Sequence, residues 1–342
     1  MRVRMMAVGL SIAWASQQAG VAATTESGTA DIKVIANIPG GDGSWDYAAF
    51  DGAQRRLFVG REDGVMALDV DTQKVIDRLV PGQRVHSIVL LPKGRALSTN
   101  GLSNSATLFD RASGKILAQI PTGKKPDSAL LDPVSGLVLV MDGDDQDITL
   151  IDPNAAKAVA RIPVGGSPES AATDGTGRVF VNLSDRSEVA VIDVAARKVA
   201  ARYALPACED ASGLALNAKA GVIVATCANL KALAVSASDG HLLATLPIAK
   251  YPDAIVFDPI REFIYIPCAS PGTLVVVAVH RGSTPAVVAN IPIARGAHTL
   301  AIDAEGGRLY VPAGDFGPPT TAGGRPSLVA GTFKIQVLAL KR

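Results

Sequence analysis

The chain has 342 residues, of which 33 are basic and 32 are acidic, and nearly half are apolar. This balance argues against a long disordered tail and against a general nucleic-acid-binding protein, because both classes usually carry a strong charge bias. The length fits either two average domains or one large all-β domain. The class of fold therefore has to come from the pattern of the chain.

The first 23 residues resemble a secretory signal peptide. Arg2 and Arg4 are followed by an apolar run at 5–14 and by small residues that end at Ala23. A short basic start, an apolar run and a small-residue ending are typical of a cleaved export signal, and this run is too short to span a bilayer. We predict cleavage near Ala23 and a soluble product in the periplasm or outside the cell. The alternative is an uncleaved N-terminus in the cytosol.

A unit of about 41 to 45 residues recurs along the rest of the chain. Its copies end in related phrases such as Ile120-Pro121, Ile162-Pro163 and Leu246-Pro247. Each unit has four short runs rich in Val, Ile and Leu, separated by turns rich in Gly, Pro and charged residues, and this pattern is typical of β-strands. Four strands in about 40 residues are typical of one β-propeller blade, and seven such units can be counted.

Both ends of the chain indicate a closed ring of seven blades. The last unit ends with a third strand at 333–338 and has no fourth, whereas residues 33–38 read as a fourth strand without a blade of its own. Pairing the two would complete the seventh blade and remove an exposed sheet edge. We therefore predict an all-β fold with one seven-bladed propeller domain at 24–342. Residues 30–44 would close it, and residues 314–331 would form a long loop in blade seven.

Several phrases in the repeats resemble one bacterial family, the YncE-like propellers with YVTN repeats. The phrases are Trp45-Asp46-Tyr47, Pro126-Asp127-Ser128-Ala129, Pro168-Glu169, Phe180-Val181-Asn182, and Cys208 before Gly213-Leu214-Ala215. The resemblance covers nearly the whole mature chain and implies an exported seven-bladed propeller. Because the family has no settled common reaction, the resemblance implies no particular activity.

One residue from each blade is predicted to meet at one mouth of the central channel, because the innermost strand of each blade borders that channel. These mouth residues, at the starts of the seven first strands, are Asp46, His86, Asp127, Glu169, Ser212, Asp253 and His298. In a closed ring, His298, Asp46 and His86 are consecutive. They could hold a divalent transition metal with open positions, or the set could perform acid–base chemistry. Alternatively, the mouth side chains bond only to loop amides or to channel water.

Three functional interpretations follow. The first is an exported binding protein that recognises a ligand or protein partner at the channel mouth, with Trp45, Arg61 and the loop at 316–330 as further contacts. The second is a metal-dependent hydrolase or oxidoreductase that uses the two mouth histidines and Asp46, with the other mouth acids as further ligands or bases. The third is a scaffold whose ring is inert. We expect no nucleic-acid partner and no membrane span.

The cysteines give a separate prediction. Cys208 precedes the first strand of blade five, and Cys227 ends the second strand. Because these strands are antiparallel neighbours, both side chains lie toward the same face, and we predict a disulfide that contributes about 3 kcal/mol. Cys268 holds the place in blade six that Cys227 holds in blade five. It is either a buried free thiol or a soft metal ligand.

A second set of acids recurs at the ends of the third strands. These acids are Asp69, Asp110, Asp152 and Asp193, each just before a turn. The same residue type in the same place of four units indicates side-chain hydrogen bonds to turn amides, and no site is predicted there.

Overall fold

The computed structural model describes residues 31–318 and 327–341, and these residues contain 29 β-strands and no helix. No described segment could therefore cross a membrane as an apolar helix. The predicted signal peptide at 1–23 lies outside the described residues, as do residues 319–326 of the predicted loop. The strands form seven antiparallel sheets, which are the seven predicted blades.

The N-terminal strand β1 spans Ile32–Pro39. Blade 1 contains β2 Trp45–Asp51, β3 Arg56–Arg61, β4 Gly64–Asp69 and β5 Val75–Pro81. Blade 2 contains β6 Val85–Leu91, β7 Arg95–Asn100, β8 Ser105–Asp110 and β9 Ile116–Pro121. Blade 3 contains β10 Pro126–Leu131, β11 Val138–Asp142, β12 Asp147–Asp152 and β13 Lys157–Pro163. Blades 4 and 5 contain β14 Pro168–Thr173, β15 Arg178–Leu183, β16 Glu188–Asp193 and β17 Lys198–Ala204; β18 Ala211–Asn217, β19 Val222–Cys227, β20 Lys231–Ser236 and β21 Leu242–Pro247. Blades 6 and 7 contain β22 Lys250–Pro252, β23 Val256–Asp258, β24 Phe263–Ser270, β25 Thr273–Ala278 and β26 Ala286–Pro292; β27 Ala301–Asp303, β28 Arg308–Ala313 and β29 Lys334–Leu340.

The middle strands of each blade carry the core. Every residue of β11 is buried, whereas most residues of the outer strand β13 are at least partly exposed. Both faces of a middle strand pack against neighbouring blades, so its run of Val, Ile and Leu needs no alternation with polar residues. One typical cluster joins Leu139 and Met141 of blade 3 to Val179 and Val181 of blade 4. Packing between blades therefore stabilises the ring.

The two ends of the chain close the ring, as predicted. Strand β1 pairs antiparallel with β29, with Ile38 opposite Ile335, and the sheet order of blade 7 is β1-β29-β28-β27. This pairing covers the edge of β29 and gives blade 7 its fourth strand, so that β1 is the outer strand of the blade. The N-terminal and C-terminal segments thus complete one blade together.

Two inner strands differ from the prediction. The inner strand of blade 7 is regular only from Ala301, so His298 lies in the segment before β27 and does not begin a strand. In blade 6, Asp253 lies between β22 and β23, where pairing with β24 is interrupted. Both mouth residues are thus placed by irregular backbone, which the repeat pattern could not show.

Cys208 and Cys227 form the predicted disulfide, with Cα atoms 5.3 Å apart. Cys208 precedes β18 and Cys227 ends β19, so the bond links the entry of the inner strand to its neighbour. Cys268 is a free, fully buried cysteine, and burial raises the pKa of its thiol to about 11. The thiol therefore stays protonated at neutral pH, in line with the prediction of a buried free cysteine.

The acids at the third-strand ends make the predicted turn contacts. Each carboxylate accepts a backbone N–H from the following turn at 2.8 Å; the donors are Thr72 for Asp69, Ser113 for Asp110, Asn154 for Asp152 and Ala196 for Asp193. These acids terminate strands and fix turns.

Candidate functional site

The innermost strands of five blades contain a β-bulge at the mouth. The register with the second strand shifts between Trp45 and Ala48, Val85 and Ile88, Pro126 and Ala129, Pro168 and Ala171, and Ala211 and Leu214. Within each shift lie the mouth residue and the residue after it. Because a bulge leaves one residue unpaired and bends the strand, it can turn side chains out of the sheet. Five of the seven mouth residues therefore share a β-bulge as well as a position in the repeat.

The segment leading into each bulge is also held in an uncommon conformation. Arg84, Lys125, Asp210 and Tyr251 have φ angles of 54°, 53°, 48° and 59°, and each lies two residues before a mouth residue. Residues with a Cβ seldom adopt this left-handed region. Four different residue types share it here, so the turn is imposed by the fold and not by local preference.

Hydrogen bonds between adjacent blades hold the backbone of the mouth residues. The Thr99 hydroxyl of blade 2 donates to the carbonyl of Asp127 at 2.6 Å, and the Asn182 amide of blade 4 donates to that of Ser212 at 3.2 Å. At the closing junction, the Thr299 hydroxyl donates to the carbonyl of Asp46 at 2.8 Å. These bonds use main-chain carbonyls and leave the mouth carboxylates unoccupied.

His86 and Asp46 form the closest pair at the mouth. The His86 Nδ1 lies 2.5 Å from the Asp46 carboxylate and 4.0 Å from that of Asp127. Burial opposes the charged imidazolium, but the hydrogen bond to Asp46 and the charge of Asp127 outweigh it, so the pKa of His86 is raised. Its Nε2 packs so closely against Gly101 that a Cβ atom on this glycine would lie only 2.5 Å from Nε2. His86 is therefore held in a fixed position, with its hydrogen bond to Asp46 and with Asp127 close by.

Three further mouth acids have no such partner. Burial and the charge of Asp46 raise the pKa of Asp127 to about 6, and burial with the charges of Asp127 and Asp253 raises the pKa of Glu169 to about 9. Burial and the charges of Asp46 and Asp127 raise the pKa of Asp253 well above its ordinary value. Within 31–318 and 327–341, no group donates a hydrogen bond to these three carboxylates. Asp127 is only 7% exposed, so it lacks both protein donors and most of its water.

Tyr47 crosses the channel beneath the mouth residues. Its hydroxyl, from blade 1, lies 2.9 Å from the hydroxyl of Ser170 in blade 4. Burial and the charges of Asp253 and the other mouth acids raise the pKa of the phenol well above its ordinary value, so it stays protonated. A cavity of about 160 Å³ beside it is lined mainly by small and apolar side chains, including Ala48 and Leu214. The channel is therefore acidic at its mouth and largely uncharged below.

The role of Tyr47 is not among the predictions from the sequence. The other blades carry small residues at the equivalent place, namely Ser87, Ser128, Ser170, Gly213, Ala254 and Thr299. One aromatic among six small side chains is a signal that aligning the seven units would have shown, because a closed channel has room for few large groups.

His298 has contacts different from those of the His86–Asp46 pair. Its ring stacks on Trp45 with centroids 5.4 Å apart, and its Nδ1 donates to the carbonyl of Gly296 at 2.7 Å. In the described part of the chain, no three His, Cys, Asp or Glu side chains are grouped closely enough to hold a metal ion. His86 thus pairs with Asp46, whereas His298 stacks on Trp45. The metal site stays a prediction.

Two predicted ligand contacts, Arg61 and Trp45, are largely buried. Arg61 is 5% exposed; its guanidinium donates to the carbonyls of Gly41 and Ser44 and lies 4.0 Å from the ring centre of Phe333. Little of its side chain is open to a ligand, and the ligand contact stays a prediction. Trp45 is 6% exposed and packs in a core cluster with Leu57 and Phe333. Ser212 is also engaged, because its hydroxyl donates to the carbonyl of Pro252 at 3.2 Å.

Comparison with known proteins identifies the fold. No protein-family model and no curated protein matches the sequence. In contrast, 1724 solved chains match by structure, so the architecture is widespread. One is a chain from the structure titled Kuenenia stuttgartiensis hydrazine synthase, with a TM-score of 0.70, 15% identity, and coverage of 83% of this chain and 94% of that chain. At this identity, the likeness establishes that the chain folds as a seven-bladed β-propeller and assigns it no activity.

Proposed function

We propose that this protein is a binding protein that recognises a positively charged group of a ligand or protein partner at the mouth of its central channel. The observation that carries the proposal is the set of three neighbouring carboxyl groups that receive no hydrogen bond from the protein and whose pKa values are raised, so that they resist ionisation until a cation is present; they belong to Asp127, Glu169 and Asp253. Crowded carboxylates repel one another and oppose burial. A guanidinium or ammonium group would supply both the missing charge and the missing donors.

The charged residues around the mouth favour binding of a cation on one side of it. The positive charges of Arg84 and Lys125 act on Asp127, and that of Lys125 also acts on Glu169. On the opposite side, the negative charge of Asp210 adds to the repulsion at Asp253. We therefore place the bound cation nearer to Asp253 than to Asp127, because the charges that act on Asp253 are those of Asp46, Asp127 and Asp210, all negative.

The alternative function is a metal-dependent hydrolase or oxidoreductase. It requires His298 to join His86 and Asp46 around one ion, and among the described residues no three such side chains are grouped closely enough to hold one. A binding role needs no such movement. Metal content is nevertheless the direct way to separate the two functions.

We also propose that the protein is exported and belongs with the YncE-like, YVTN-repeat propellers. The quoted repeat phrases and the basic, apolar N-terminus support this placement, and the Cys208–Cys227 disulfide suits an oxidising compartment. The mature protein from its native host should begin after Ala23. A mass that includes the first 23 residues in the mature protein would contradict export by this signal.

The binding experiment uses a probe whose charge does not change with pH. Acetylated tri-arginine amide, titrated into the protein at pH 8 in a calorimeter, should bind at one site, and its neutral analogue tri-citrulline amide should not. Asp253→Asn and Glu169→Gln should each weaken binding about tenfold or more, equivalent to about 1.4 kcal/mol. The matched control is Asp110→Asn, which removes one charge at a turn and should leave binding unchanged.

Two outcomes would overturn the proposal. One is equal affinity for the arginine and citrulline peptides, or equal affinity of the wild type and the mouth variants. The other is stoichiometric Fe, Zn or Mn in purified protein that is lost in both His86→Ala and His298→Ala, since that result assigns the mouth to a metal centre.

A further inference from the structure

A second, larger cavity opens on the same end of the propeller, in blade 2. It has a volume of about 550 Å³, within the roughly 300–1,000 Å³ usual for small-molecule sites. We call it the blade-2 cavity, and its lining residues are Pro81, Gly82, Gln83, Asn100, Ser103, Asn104, Ser105, Thr107, Gln119 and Pro121. None of them is charged. The chemistry of this cavity therefore differs from that of the acidic mouth.

The floor of the blade-2 cavity is a fixed polar surface. Asn100 is 2% exposed, and its amide donates to the Thr107 hydroxyl at 3.0 Å and to the carbonyl of Ser105 at 3.2 Å. The hydroxyls of Ser103 and Ser105 lie 2.9 Å apart. Amide and hydroxyl groups each offer donors and acceptors, so the walls can match a ligand that carries both.

The equivalent places in the next two blades are filled by ion pairs. Strand register puts Gln119 opposite Thr107, Arg161 opposite Thr149 and Arg202 opposite Ala190, so these three residues are equivalent.

In blade 3, the Arg161 guanidinium lies 2.8 Å from Asp147, at the start of the third strand. In blade 4, the Arg202 guanidinium lies 3.1 Å from Glu188 in the same way. Blade 2 has Ser105 in place of these acids and Gln119 in place of the arginines.

This substitution explains both properties of the cavity. Serine and glutamine are smaller than an acid paired with arginine, so space is left, and neither carries charge. An ionic ligand would gain no charge partner on entering and would lose hydration. A neutral ligand rich in hydroxyls would exchange its hydrogen bonds with water for hydrogen bonds with the walls. We propose that the blade-2 cavity binds a neutral polyhydroxylated ligand, of the chemical class of sugars and polyols.

The test rebuilds the ion pair of blade 3 inside the cavity. Saturation-transfer difference NMR with D-glucose, maltose and glycerol should show transfer from the wild-type protein to at least one of them. The double variant Ser105→Asp/Gln119→Arg should abolish that transfer, because the new pair fills the cavity as Arg161 and Asp147 fill theirs. Thr245→Arg is the matched control, since Thr245 is the exposed blade-5 equivalent of Gln119, and it should retain the transfer.

A thermal melt of each variant shows whether the fold is kept, and Gln119→Ala provides a second variant that removes donors without filling space; it should reduce the transfer. The proposal is overturned if none of the three probes receives saturation from the wild type, or if transfer is equal in the wild type and a folded double variant. Because the tri-arginine probe reports on the mouth alone, failure here is distinguishable from failure of the proposed function.

Discussion

Acidic residues recur at two places in the repeat, and the two sets have opposite surroundings. At the ends of the third strands, each acid accepts turn N–H groups, and for Asp69 and Asp110 these bonds hold the pKa below its ordinary value. At the starts of the inner strands, burial and mutual repulsion raise the pKa of Asp127 and Glu169. In the sequence, both sets appear in the same way, as acids that recur at one position of the repeat.

The difference shows that recurrence alone does not mark a site. An acid whose carboxylate is saturated by its own turn completes the local structure and needs nothing further. An acid that is buried without donors destabilises the fold unless a ligand supplies them. The useful distinction is therefore the balance of donors and acceptors, which requires the three-dimensional structure.

Replacing the mouth acids by amides should have the largest effect on stability. At pH 8 the fold keeps Glu169 and Asp253 protonated whereas the unfolded chain ionises them; Glu169→Gln/Asp253→Asn removes this cost at an almost unchanged volume and should raise the free energy of unfolding by about 2 kcal/mol. Asp110→Asn, which weakens a satisfied turn, should not raise it. Chemical denaturation of the three proteins measures both effects. A mouth variant less stable than the wild type would show that these acids are already satisfied.

The contact across the channel should give a smaller effect. Tyr47→Phe leaves the Ser170 hydroxyl without its partner and should destabilise the protein by about 1 kcal/mol. Combining it with Ser170→Ala in a double-mutant cycle isolates this hydrogen bond. Zero coupling between the two changes would mean that the tyrosine does not bridge the channel in solution.

The blade count and the ring closure could be predicted because they depend on periodic features. The turn acids, the disulfide and the unpaired third strand at the C-terminus each follow from position within the repeat. Closure then places one residue of each blade at the mouth. These inferences need only strand order, which is the property that a repeated sequence specifies most directly.

The side-chain partners could not be predicted in the same way. The repeat pattern makes His298 and Asp46 neighbours in the ring, but it does not show that His298 lies before β27 and stacks on Trp45. It offers Arg61 as a ligand contact, but it does not show the carbonyls at 41–44 and the Phe333 ring that surround this side chain. Both outcomes depend on contacts between blades 1 and 7, which are more than 200 residues apart in sequence for Trp45 and His298. A repeat pattern carries no information about such contacts.

The central claim is that the mouth acids lack partners until a cation binds, and the pH dependence of stability tests it most directly. A group whose pKa is higher in the folded state than in the unfolded state loses stability as pH rises between the two values. With pKa values raised to about 6 for Asp127 and to about 9 for Glu169, the free energy of unfolding should fall from pH 5 to pH 9. Acetylated tri-arginine amide should raise the free energy of unfolding more at pH 9 than at pH 5. Glu169→Gln should make the free energy of unfolding fall less steeply with pH. A free energy that is constant or rises over this range, with a peptide effect independent of pH, would contradict the account.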